Sequence, residues 1–120
     1  MEDYEPEQNL FGELVEMVIR FRPIYIGLPI FKGLRQMTYK KAIEYFVENK
    51  PPIPFDAGVM IIERDHMSEN AYFTQIFLDK NNDPISDPVS GRPYGRRCLI
   101  RSMDDELLSV FGNKPMVLVK

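Results

Sequence analysis

The chain has 120 residues, 44% of them hydrophobic and 28% charged, a balance that suits one folded domain. It excludes a disordered chain, a collagen-like chain and a disulfide scaffold, because the single cysteine, Cys98, cannot close a bridge within the chain. Against 18 Asp and Glu stand 15 Lys and Arg, a formal net charge of −3, so the molecule as a whole is not steered toward nucleic acid.

The first residues are acidic and no apolar run follows them, so no signal peptide is read. No uncharged stretch approaches the ~20 residues of a membrane-spanning helix. The expected setting is the cytoplasm, away from membranes. Residues 1–8 are expected to form a mobile acidic tail, and residues 9–120 a single α+β domain.

Asn9 fits an N-cap. Behind it Leu10, Leu14, Met17, Val18 and Phe21 recur at helical spacing, and Phe11, Val15 and Ile19 widen the apolar face. Pro23 disfavours helical geometry at Arg22, which places the helix end there. Residues 23–34 are apolar but punctuated by Pro23, Gly27, Pro29 and Gly33, an extended segment or hydrophobic loop that needs a cover. Thr38 fits the cap of a second helix over 39–49, with Tyr39, Ala42, Ile43, Phe46 and Val47 on its inner face. Pro51, Pro52 and Pro54 make a rigid connector.

From Gly58 the pattern is β. Val59, Met60, Ile61 and Ile62 are apolar at consecutive positions, the mark of a strand covered on both faces. Residues 67–70 read as a turn and 71–78 as a second strand rich in aromatic and β-branched residues. A long polar loop over 79–95 leads to a third strand at 97–101. Ser102 fits the cap of a helix over 103–111, with Asp105 as its capping-box acid, and 116–119 is a final strand. That strand either closes a right-handed parallel crossover or lies antiparallel at an edge. The expected fold is a three- to four-stranded, mainly antiparallel sheet, with the two N-terminal helices on one face and a short C-terminal helix.

One His and one Cys cannot build a zinc tetrad, and no cofactor motif stands out. The 79–87 segment (Asp79, Asn81, Asp83, Asp87) resembles the start of a calcium loop. Pro84 occupies the position that needs Gly, however, and Ser90 the closing Glu position, so local turns are the simpler reading. Glu63 and Asp65 alternate along a strand beside His66, the minimum for a metal-assisted hydrolase. A Cys98–His66 dyad fails on register, since the expected pairing sets Cys98 beside Phe77 with His66 at the far end of the sheet. Gly91 to Arg97 is the most suggestive segment. Arg92, Arg96 and Arg97 offer bidentate donors to an anion and Tyr94 a stacking face, unless Asp79, Asp83 and Asp87 neutralise the arginines.

The leading expectation is a non-enzymatic interaction protein: an accessory, regulatory or inhibitor-type subunit with a protein partner or with itself as homodimer or higher. Leu10, Phe11, Phe21, Ile24, Tyr25, Ile26 and Phe31 form its self-association surface. The alternatives are a nucleic-acid or polyanion module using the arginine loop, and a hydrolase using Glu63, Asp65 and His66.

Overall fold

A computed structural model describes the backbone of residues 5–120 and the side chains from Gly12 onward. Three helices and seven strands follow one another: α1 (Glu5–Tyr25), β1 (Ile30–Phe31), β2 (Gln36–Met37), α2 (Tyr39–Glu48), β3 (Ala57–Arg64), β4 (Ala71–Leu78), β5 (Gly95–Ile100), β6 (Ser102–Met103), α3 (Asp105–Phe111) and β7 (Met116–Val119). Five strands form a sheet in the order β1-β5-β4-β3-β7, and β2 and β6 form a small parallel pair beyond it.

The sheet is mixed, with more strands than the expected three or four. β3–β4, β4–β5 and β3–β7 are antiparallel, whereas β1 runs parallel to β5. Strand β1 was expected only as extended chain, because two residues are too few to show an alternation. β7 takes the antiparallel edge position beside β3, not a parallel crossover.

The helices are not on one face. Leu14, Phe21, Tyr25 and Leu28 cover Val59, Ile61, Ile76 and Leu78 on one side of the sheet. Ala42 and Phe46 of α2 and Leu107 and Phe111 of α3 share the opposite core with Met60, Phe73, Phe77 and Ile100. The reason lies in β3 itself. Its consecutive apolar residues alternate between the faces, so both need a cover. On the α2 side, Phe46 packs edge-to-face on Phe77 with centroids 5.4 Å apart, over the bare backbone of Gly58.

Three helix boundaries differ from expectation. The backbone of α1 includes Asn9, and the expected acidic tail lies partly outside the described residues. α1 also continues past Arg22 to Tyr25 with Pro23 inside it. The proline removes one hydrogen bond, but only the last turn follows, and the Ile26 N–H closes that turn onto the Arg22 carbonyl at 2.9 Å. α3 is capped by Asp104, not Ser102, which belongs to β6.

The loop from Asp79 to Tyr94 folds back on β4. The Ile85 N–H reaches the Phe77 carbonyl at 2.9 Å, and Ile85 is buried in the α2-side core. Asp79 Oδ1 accepts from the Asn81 and Asp83 N–H groups at 2.8 and 3.1 Å, and Asp87 Oδ1 from the Val89 N–H at 2.8 Å. These carboxylates therefore shape turns, as Asx residues do.

Asp104 holds two helix starts at once. Its Oδ1 accepts from the Leu107 N–H of α3 at 3.0 Å and the Tyr39 N–H of α2 at 3.1 Å. Asp104→Ala should cost about 1–2 kcal/mol in urea unfolding, the usual loss for a cap. Asp105→Ala, one residue on and exposed, should stay within about 0.5 kcal/mol of wild type.

Candidate functional site

Arg96 and Arg97 are neighbours on β5, so their side chains leave the sheet on opposite sides. Arg96 is held on the α2 side. Its Nε donates to Gln75 Oε1 at 2.7 Å and its guanidinium lies 4.3 Å over the Tyr45 ring. Gln75, fully buried, passes the connection on through Nε2 to the Ala42 carbonyl at 2.8 Å. Burial pushes the Tyr45 hydroxyl above its ordinary range, and Arg96 opposes this.

Arg97 sits on the α1 side with only 6% of its side chain exposed. It lies 4.5 Å over the Tyr72 ring and 5.7 Å from the Tyr25 ring. One terminal nitrogen is 3.6 Å from Glu63 Oε1, an ion pair too long for a hydrogen bond. The other Glu63 oxygen takes Arg22 Nε of α1 at 3.1 Å. Thr74 is the β4 partner of Arg97, and Tyr72 that of Glu63.

Among the described residues, the buried side-chain polar atoms without a hydrogen-bond partner are Tyr25 Oη, Glu63 Oε1, Thr74 Oγ1 and Arg97 Nε. They all fall in this one patch. A fully unpaired buried polar group costs about 1–3 kcal/mol, and here Tyr25, Glu63 and Arg97 face one another with poorly aligned contacts. Burial pushes the Tyr25 hydroxyl well above the ordinary tyrosine range, and the adjacent Glu63, by its charge and as an acceptor of the hydroxyl proton, pushes the same way. Arg97 and Arg22 pull it down.

A cleft of about 530 Å³ opens beside the patch, lined by Arg22, Glu63 and Arg97, with Tyr72, Ile19 and His66 at its walls. Across the 65–70 turn lies a second cleft of about 570 Å³, more apolar, between Ile62, Ile100, Leu108 and Phe111. Arg64 borders both.

The structure disperses the other candidates. Arg92 is exposed on the loop, and Tyr94 packs against the α2-side core. With Arg96 and Arg97 on opposite faces, the four anion-binding candidates do not share one surface. None of the three arginines is bridged to Asp79, Asp83 or Asp87 among the described ion pairs. Of the self-association set, Phe21 and Tyr25 are fully buried in the molecule's own core, while Ile24, Ile26 and Phe31 are exposed. The side chains of Leu10 and Phe11 lie outside the described residues.

Glu63 is committed to two arginines. Asp65 accepts from the Met67 N–H at 3.2 Å and the Ser68 hydroxyl at 2.9 Å. Among the described residues, no group of three His, Cys, Asp or Glu gathers into a metal-ligand set. Cys98 pairs with Phe73, not Phe77, and is buried in the α2-side core, whereas His66 borders the cleft on the α1 side. The register shift arises because the 79–94 loop folds back, so that Ile85 and not β5 takes the place beside Phe77. Among the described residues no helix is long and apolar enough to cross a membrane.

No family model, curated protein or solved structure matches the chain.

Sequence reasoning singled out Glu63 and Arg97 but missed Arg22, Tyr72 and Thr74 as their companions. The available signal was alternation. Glu63 follows Ile61 on its face of β3, and Tyr72 and Thr74 precede Ile76 on theirs, so polar residues continue two apolar faces toward the same sheet end.

Two outcomes are expected. Tyr25→Phe removes a hydroxyl that faces Glu63 without a well-aligned hydrogen bond, so at neutral pH stability should change by no more than about 1 kcal/mol in urea unfolding. The wild-type tyrosine keeps its proton longer when folded than when unfolded, so its contribution is full below the ordinary value of 10.0 and is lost as pH climbs beyond it. The gap between Tyr25→Phe and wild type should therefore widen in favour of the variant above that pH. For Cys98, burial raises the thiol pKa and Arg96 only partly offsets this, so native protein should react with a thiol reagent far more slowly than urea-unfolded protein.

Proposed function

We propose that the chain is a non-enzymatic interaction protein, a small accessory or regulatory subunit that pairs with a second copy of itself along the β1 edge. One observation carries this reading: an open sheet edge with exposed apolar side chains on both of its faces. β1 ends the five-strand order, so its outer side has no strand neighbour among the described residues. Ile30 shares the register of Arg97 and the α1 side, and Phe31 shares that of Cys98 and the α2 side. Both are exposed, Phe31 by 53%, and Ile24 and Ile26 add to the apolar character where α1 ends. An edge of this kind is a template for another strand. A second copy is the simplest occupant, because a two-fold axis brings the same patch together twice.

The two alternatives draw less support. A polyanion module needs Arg92, Arg96 and Arg97 on one surface, and a metal-assisted hydrolase needs Glu63 and Asp65 free to act.

Sedimentation velocity at tens of micromolar should show a dimer, and Phe31→Lys should weaken it by about tenfold or more while leaving the fold intact. A wild-type monomer at that concentration, or a dimer indifferent to Phe31→Lys, would overturn the reading.

A further inference from the structure

We propose that the cleft between α1 and the 63–67 segment, where β3 ends, binds a small monocarboxylate with an apolar or aromatic body, its carboxylate held by Arg97 and Arg22. This is independent of self-association and rests on different residues.

The carrying observation is Arg97 itself. A guanidinium has five N–H donors, and a buried one is ordinarily spent on acceptors. Arg96, the adjacent residue, does this through Gln75. Arg97 is more deeply buried, yet among the described residues its side chain makes no hydrogen bond, and its Nε is without a partner. Arg97 is one of the residues that line the cleft.

Charge selects the ligand's sign and size. Arg22 and Arg97 share one carboxylate, Glu63, so the trio carries one positive charge in excess. At the rim Arg64 and Asp65 offset each other. A monoanion balances the trio. A dianion would meet the Glu63 carboxylate with charge to spare. The planar guanidinium fork matches a carboxylate geometrically. The remaining walls come from Val18, Ile19, Met67 and the Tyr72 ring. Burying an apolar body there is favourable in proportion to its area.

The probe is benzoate, with acetate, chloride and inorganic phosphate at matched ionic strength. The readout is NMR of the arginine Nε–H and tyrosine ring signals of the whole chain. Benzoate should move the Arg97 and Tyr72 signals saturably. Acetate, lacking the ring, should bind at least about tenfold more weakly. Chloride should leave both signals in place, and phosphate should bind more weakly than benzoate.

Arg22→Gln replaces a half-exposed side chain outside the core and should weaken benzoate by about tenfold through loss of a charged hydrogen bond. Arg97→Lys keeps the buried charge without the fork and should weaken it further. Arg97 and Tyr72 signals unmoved by benzoate would overturn the proposal. So would signals moved equally by chloride or phosphate, or an affinity unchanged in Arg22→Gln.

Discussion

Strands β3 and β4 carry apolar side chains on both of their faces, and water must be kept from each. That single requirement assigns the helices. α1 closes one side, and α2 with α3 closes the other. Each cover is tied down at its end by polar contacts: Arg22 to Glu63 for α1, Asp104 for the starts of α2 and α3, and Gln75 to Ala42 beneath α2. Two clefts lie at the end of β3, and Arg64 borders both.

The two central arginines show how alike residues are put to unlike use. Arg96 locks β5 to Gln75 and Tyr45 and is spent in doing so. Arg97 is wedged between two tyrosine rings and shares Glu63 with Arg22. Breaking a buried charge pair leaves the survivor uncompensated, so the α1-side trio is a point of high energetic stakes whatever occupies its cleft.

Much of this was legible in the sequence. The consecutive apolar run at Val59 to Ile62 announced a doubly covered strand, and Thr38 announced the start of α2. The same run already implied helices on both sides, and the expectation of both N-terminal helices on one face set that implication aside. What stayed hidden was non-local. Ile30 and Phe31 become a strand only because β5 lies beside them, and no local pattern of two residues encodes that. The placement of Arg97 depended on the register of β5 against β4, which the fold-back of Ile85 and Tyr94 sets from within a loop that reads as merely polar. Arg22 joined Glu63 only because α1 runs on through Pro23. The site is therefore an assembly of residues each ordinary in its own segment.

The place of β1 in the sheet has a consequence for the order of assembly. Ile30 and Phe31 are made early, but the strand they pair with, at Arg97 and Cys98, comes late in the chain. During synthesis α1 can coil on its own, yet Phe21 and Tyr25 have nothing to rest on until β3 and β4 emerge and pair. The β3–β4 hairpin, joined by a short turn, is the natural nucleus, since its contacts close the smallest loop in the sheet. α1 and β1 then dock onto a surface already formed. Strand β1 thus waits for a partner made more than sixty residues later, and a nascent chain halted before Arg97 would hold β1 with no strand to pair with.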